Sequence, residues 1–133
     1  MARLLLIDDD PALLSLLRRT LERSGYEVVT APNGREGLQR LTSGPFDLLI
    51  TDIVMPEMEG LELIMKLRQS HPTLRIIAIS GGGQLRPASY LNLARLSGAM
   101  TVLAKPFELE ELLGAVEKLL KSDPPSGAPR MSG

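Results

Sequence analysis

The feature that most constrains this chain is an apolar run that ends in a carboxylate. Leu48, Leu49 and Ile50 are the continuous apolar residues expected of a parallel strand that is covered on both faces. Asp52 stands where the run stops, and Pro56 then requires the strand to give way to a loop. Because open α/β sheets hold their ligands at the carboxyl ends of their strands, this stretch predicts a buried strand that presents Asp52 at a functional edge.

The rest of the chain repeats the alternation of a short apolar run with a helical pattern. Four further strands are predicted at residues 4–7, 27–30, 75–79 and 101–104. Five helices are predicted, beginning after Asp10, Asn33 and Gly60, then over residues 87–97, and finally from about Leu109. Short connections in this alternation imply a flavodoxin-like α/β fold, a doubly wound five-stranded parallel sheet of order 2-1-3-4-5 with five helices.

Length and composition indicate one domain with a short tail. The 133 residues are enough to bury a core without disulfides or metals, and we assign residues 1–121 to that domain. Residues 122–133 contain three prolines, two glycines and three serines without apolar periodicity. Such a segment buries too little surface to offset its ordering entropy, so a disordered Pro/Gly/Ser-rich tail is predicted.

Charge and composition exclude several classes of function. Fifteen basic and sixteen acidic residues give a formal charge of −1, which does not favour direct nucleic-acid binding. The absence of cysteine excludes disulfides and thiolate metal sites. Aspartates interrupt the apolar opening, and no apolar run approaches the roughly 20 residues that span a bilayer. We therefore expect a cytoplasmic protein without a membrane partner.

Polar functional groups follow four of the five predicted strands. They are Asp8 and Asp9, then Asp52, Ser80 and Lys105. At about 5 Å and an effective dielectric of about 20, each carboxylate pair repels by roughly 3 kcal/mol. Lys105 cancels one of three negative charges, and a divalent cation would cancel the remaining two. Oxygen donors without imidazole or thiolate favour Mg²⁺, or Mn²⁺, over zinc.

This set of side chains is suited to phosphoryl transfer. A cation and Lys105 can neutralise phosphoryl oxygens, and the Ser80 hydroxyl can donate a hydrogen bond to one of them. Asp52 is then placed to attack in line as the nucleophile. The product of that step is an aspartyl phosphate.

These motifs together resemble the response-regulator receiver domain of two-component signal transduction. The similar stretches are residues 5–11, residues 47–56 with Gly60, Ile79 with Ser80, and residues 105–107. The resemblance covers residues 3–121, with the motifs in the same order and at nearly the same spacing. It implies that Asp52 is the phosphoacceptor, that Asp9, Asp52 and the main-chain carbonyl of Val54 ligate Mg²⁺, and that Asp8 acts through water.

The resemblance also implies roles beyond the metal. Lys105 would bind the phosphoryl group, Ser80 would be the switch hydroxyl, and the Lys105–Pro106 peptide would be cis. The phosphodonor would be a sensor histidine kinase or a histidine phosphotransfer protein. Signalling would proceed through contacts of the predicted fourth and fifth helices with an output protein, or through a phosphorylation-dependent homodimer. The chain would catalyse only its own phosphorylation and dephosphorylation, and would not be an enzyme acting on other substrates.

Two features depart from the receiver pattern. Val102 occupies the position of the usual switch aromatic, and Ser80 lies 25 positions before Lys105, a few more than usual. The surplus falls in the glycine-rich residues 81–86. We expect signalling to reorder that loop and shift the predicted fourth helix, with Tyr90 as a substitute reporter.

Other functions stay open on the sequence alone. A haloacid-dehalogenase-type phosphatase also uses an aspartate, Mg²⁺ and a lysine, but it carries a second Asp where this chain has Val54. A flavodoxin-like cofactor binder is disfavoured because three acids would repel a flavin phosphate. The chain could also be a receiver used only structurally, or the receiver module of a longer transcriptional regulator.

Overall fold

A five-stranded parallel sheet forms the centre of the fold. The computed structural model describes residues 1–52, 59–81 and 101–121, and of residues 59–64, 80 and 81 it describes the backbone. The strands are β1 (Arg3–Ile7), β2 (Glu27–Ala31), β3 (Leu48–Asp52), β4 (Arg75–Gly81) and β5 (Thr101–Lys105). They pair in the order β2-β1-β3-β4-β5, and all four pairings are parallel. The predicted fold class and strand order are confirmed.

Four helices lie within the described residues. They are α1 (Pro11–Arg23), α2 (Gly34–Leu41), α3 (Glu59–Ser70) and a C-terminal helix (Leu109–Lys121). The predicted helix over residues 87–97, the loop beyond Gly81, Val54 and the predicted tail all lie outside the described residues.

Side chains that alternate along the strands pack against helices on both faces of the sheet. One face buries Leu4, Leu6, Leu48 and Ile50 against α1 and the C-terminal helix, which contribute Leu14, Leu17, Leu21, Leu112, Val116 and Leu119. The opposite face buries Leu5, Ile7, Leu49 and Ala78 against Leu41 of α2 and Leu67 of α3. This double coverage explains why the β1 and β3 sequences are continuously apolar.

The first two helices begin where their sequences predict. Asp10 caps α1, its carboxylate accepting hydrogen bonds from the N–H groups of Ala12 and Leu13, with Pro11 at the first helical position. Asn33 caps α2 by accepting a hydrogen bond from the Glu36 N–H at 2.9 Å. Each cap satisfies N–H groups that the first turn of a helix leaves without a partner within the helix.

The one methionine of α3, Met65, does not pack into the core. Met65 is 56% exposed, whereas Leu67 is fully buried. Two positions along a helix amount to about 200°, so the two side chains point to opposite faces of α3.

A membrane-spanning helix is absent from the described part of the chain, since none of its helices is both long and apolar enough to cross a bilayer.

Candidate functional site

Adjacent strands bring three aspartates to one edge of the sheet. β1 and β3 are neighbours, with Ile7 opposite Thr51, so the residues that follow each strand meet at its carboxyl end. Asp8, Asp9 and Asp52 each place a carboxylate oxygen within 4.8 Å of the others. Asp8 and Asp52 are 1% and 3% exposed, and Asp9 is exposed to solvent. The result is an acidic pocket in which two carboxylates are buried and the third, on the open side, is exposed to solvent.

Lys105 enters this pocket from the carboxyl end of β5. Its Nζ donates to Asp52 Oδ2 at 3.0 Å and to Asp8 Oδ2 at 3.3 Å. One ammonium therefore joins two buried carboxylates that come from different strands. The next peptide bond, Lys105–Pro106, is cis, as the sequence resemblance implied.

Burial and charge shift the protonation of two of these groups. Burial raises the pKa of the Asp8 carboxyl above its usual value, and this effect outweighs a hydrogen bond from the Asp10 N–H and the charge of Lys105. Burial by itself would lower the pKa of Lys105, but the hydrogen bond and charge of Asp52, with those of Asp8, raise it. The ammonium is held in its charged form, while the Asp8 carboxylate is formed at a cost.

The donor set fits a hard divalent cation. Three carboxylates and one ammonium leave a formal charge of −2, and no described side chain in the pocket offers nitrogen or sulfur as a neutral ligand. Oxygen donors grouped this closely match the ligands that Mg²⁺ prefers. Asp9 is the carboxylate that solvent reaches, so a cation would enter and leave the pocket beside it.

The remaining predicted site residues are only partly described. The backbone of Ser80 lies in β4, paired with Ala104 and one residue beyond Ile79, which pairs with Asp52. Ser80 is thus on the same edge as the acids, while its side chain lies outside the described atoms, as does the Val54 carbonyl. The functional roles assigned from sequence to all of these residues remain predictions.

Sequence reasoning missed Thr51 as part of the site. This residue is fully buried, and its Oγ1 donates to the main-chain carbonyl of Asp52 at 3.2 Å. A signal was present, because a hydroxyl interrupts an otherwise apolar strand directly before the carboxylate that ends it.

An apolar groove borders the pocket. It is about 610 Å³ in volume and runs between α1 and the segment after β5, where Lys105 and Asp10 form its junction with the acids. Its apolar lining consists of Leu13, Leu16, Leu17, Pro106, Phe107 and Leu109. Leu16 contributes an exposed apolar surface to this groove, being 42% exposed.

Comparisons with known proteins agree with this geometry. Residues 4–117 match the family described as the response regulator receiver domain. The response regulator receiver protein CpdR of Brucella abortus is 39% identical over 120 residues, which are 90% of this chain and 98% of that protein. The DNA-binding transcriptional regulator NtrC of Azospirillum brasilense is 40% identical over 133 residues, which are 99% of this chain but only 27% of that protein.

A solved structure gives the same result for the fold. The response regulator protein TrrA of Thermotoga maritima, crystallised in complex with Mg(2+)-BeF, superposes with a TM-score of 0.77 at 35% identity. The match covers 90% of this chain and 99% of that one.

Proposed function

Because this chain belongs to the response regulator receiver domain family, we propose that it accepts a phosphoryl group on Asp52 in a two-component phosphorelay. The observation that carries the proposal is the position of the Asp52 carboxylate. It is buried at the end of a central strand, 3.0 Å from the Lys105 ammonium, with two further carboxylates within 4.8 Å. A buried nucleophile beside a fixed cation is the arrangement that phosphoryl transfer requires.

The residues at this edge divide the work of the transfer. An Asp52 oxygen forms the new bond to phosphorus as the bond to the leaving group breaks, and the leaving group departs with that electron pair. Lys105, already charged and hydrogen-bonded in the pocket, neutralises a phosphoryl oxygen as charge redistributes. The Ser80 hydroxyl donates to another phosphoryl oxygen. The backbone register of the sheet sets the positions of these residues relative to one another.

Mg²⁺ is the cofactor that the donor set favours, with Mn²⁺ as a substitute. Asp9, Asp52 and the main-chain carbonyl of Val54 would hold it, and Asp8 would contribute through water. Bound Mg²⁺ supplies positive charge against the phosphoryl oxygens. The Mg(2+)-BeF complex of TrrA supports this assignment by similarity.

The phosphodonor that we propose is a sensor histidine kinase or a histidine phosphotransfer protein. Leu16 and Phe107 line an apolar groove next to Lys105, and such a surface suits a protein partner better than a small polar donor. A donor of this kind would place the protein in the cytoplasm.

The output of the domain is proposed as protein–protein contact. By the sequence reasoning, residues 81–97 and the C-terminal helix carry the signal to an output protein or to a second copy of the chain. Val102, which replaces the usual aromatic, is half-buried and packs against the apolar cluster beneath α2 and α3. The conformational change on phosphorylation therefore cannot proceed through an aromatic rotamer at this position.

Two of the relatives suggest different settings for the domain. This chain spans 98% of CpdR, a receiver protein, but 27% of NtrC, a regulator that binds DNA. Either a separate receiver or the receiver module of a longer transcriptional regulator is compatible with the site.

The proposal is tested by intact-mass spectrometry after incubation with acetyl phosphate, with and without Mg²⁺. Wild type should gain one phosphoryl group only with Mg²⁺, and Asp52→Asn should gain none. Asp10→Asn is the matched control, because Asp10 caps α1 outside the acid cluster and asparagine caps equally well. An unmodified wild type, or an adduct that persists in Asp52→Asn, would contradict the assignment. Sustained hydrolysis of phosphomonoesters would instead indicate a phosphatase.

A further inference from the structure

One row of side chains across the sheet contains a single polar residue. Backbone register places Ala31, Ile7, Thr51, Ala78 and Val102 side by side on the five strands. The other four belong to, or pack against, the apolar cluster beneath α2 and α3. Thr51 is fully buried within this row. Valine has nearly the same shape and is also enriched in strands, so packing alone does not account for a hydroxyl at this position.

The Thr51 hydroxyl has one hydrogen bond among the described residues. Its Oγ1 donates to the carbonyl oxygen of Asp52 at 3.2 Å. Burying a hydroxyl costs free energy that such a bond largely offsets, which leaves little net gain in stability. The contact instead constrains the peptide that leaves Asp52, at the point where β3 ends.

From this contact we propose that Thr51 is a positioning residue for phosphoryl transfer to Asp52. Its hydroxyl holds the Asp52 backbone from the α2–α3 face of the sheet, while Lys105 holds the Asp52 carboxylate at 3.0 Å. Together the two contacts fix both ends of the nucleophilic residue before the phosphodonor arrives. The inference rests on the proposed function of Asp52. It assigns to Thr51 a role in the rate of phosphorylation that is separate from the role of Thr51 in packing.

Two substitutions separate the hydroxyl from the methyl group of Thr51. Thr51→Val keeps the shape and removes the hydrogen bond, whereas Thr51→Ser keeps the hydrogen bond and removes a buried methyl. Thr30→Val, on the half-buried edge strand β2, makes the same chemical change away from the acids. For each variant we would measure the rate of Mg²⁺-dependent phosphorylation by acetyl phosphate and the midpoint of urea unfolding.

The expected results dissociate rate from stability. Thr51→Val should be phosphorylated about fivefold more slowly, the loss equivalent to one hydrogen bond, with an unfolding midpoint equal to or above that of wild type. Thr51→Ser should keep the wild-type rate and unfold at lower urea, and Thr30→Val should keep the wild-type rate.

Three outcomes would overturn the inference. They are a wild-type rate in Thr51→Val, a loss of rate in Thr51→Ser as large as in Thr51→Val, and a fall in rate that is matched by a fall in stability. A wild type that takes up no phosphoryl group overturns the proposed function itself, and the role of Thr51 with it.

Discussion

Replacing Asp8 with asparagine should stabilise the protein at neutral pH. Asp8 is 1% exposed, and its carboxylate is attracted by the Lys105 ammonium and repelled by two other carboxylates. Lys105 Nζ is 3.3 Å from one carboxylate oxygen, and the carboxylates of Asp9 and Asp52 are within 4.8 Å. Asparagine keeps the oxygen that accepts the Asp10 N–H at 2.9 Å, so the local turn should survive the change.

The magnitude follows from these distances. At an effective dielectric of about 20, the attraction of Asp8 to Lys105 is about 5 kcal/mol, and the repulsion from each of Asp9 and Asp52, which lie within 4.8 Å, is at least about 3.5 kcal/mol. Solvent screens the exposed Asp9, so attraction and repulsion nearly cancel. The cost of burying an ionised carboxyl then decides the sign. We expect Asp8→Asn to raise the free energy of unfolding by about 1–3 kcal/mol.

The gain should depend on pH in one direction. Burial raises the pKa of Asp8 above the ordinary value of 3.8, so the folded state holds this proton more tightly than the unfolded chain does. The wild type therefore loses stability as the pH rises from about 3.8 through the raised pKa. The advantage of the variant should be smallest in acid and should grow to a plateau above that pKa.

Urea unfolding of wild type and Asp8→Asn across this pH range, without Mg²⁺, measures the difference directly. Asp10→Asn is the control, since it neutralises an exposed neighbour outside the cluster. An Asp8→Asn variant that is less stable than wild type at neutral pH would refute the reasoning. So would a difference that shrinks as the pH rises.

Three further changes test other parts of the structure by thermal or urea unfolding. Gly37→Ala should destabilise the protein by about 1–3 kcal/mol despite the better helix propensity of alanine, because the new Cβ would press on Ile7 Cδ1 and lie 3.1 Å from Ile7 Cγ1. Adding Ile7→Val should restore most of the lost stability, and a Gly37→Ala variant that is more stable than wild type would refute the contact. Mg²⁺ at about 100 times its Kd should stabilise wild type by about 2.7 kcal/mol and Asp9→Asn far less, whereas equal gains would exclude Asp9 as a ligand. Asp10→Ala should cost about 1 kcal/mol through loss of the α1 cap, and Asp10→Asn almost nothing, so equal losses would argue against capping.

The sheet could be predicted from sequence because its signals are local. The apolar runs at β1 and β3 are each followed or ended by aspartate, and that pattern predicts buried strands with carboxylates at their carboxyl ends. The Asp10–Pro11 start of α1 was equally predictable, because a cap is a contact between near neighbours. Only the outermost residues of several strands differ from the prediction, such as Lys105, which belongs to β5.

Contacts between distant residues carried no such signal. Arg3 joins three segments: its N–H donates to Asp47 at 2.8 Å, its Nε pairs with Glu27 at 3.0 Å, and its guanidinium lies 4.3 Å from the Phe46 ring. No periodicity in the sequence relates these positions, so these contacts of Arg3 at the amino edge of the sheet were not predicted. The close approach of Gly37 to β1 was missed for the same reason.

The acidic site could be predicted from sequence in part. Sequence predicted that Asp8, Asp52 and Lys105 converge, because parallel strands share one carboxyl edge. It did not predict that Lys105 contacts both buried acids, since that depends on side-chain reach across the sheet. Thr51 was missed because a threonine in a strand is ordinary until its register and its hydrogen bond are known.

The most direct test of the central claim is to locate the phosphoryl group within the chain. After phosphorylation with Mg²⁺, borohydride reduces an aspartyl phosphate to homoserine, and peptide mass spectrometry identifies the converted residue. We expect conversion at Asp52 alone, in wild type and in Asp10→Asn. Conversion at Asp8 or Asp9, or a phosphoryl group on a residue other than aspartate, would contradict the assignment of Asp52 as the phosphoacceptor.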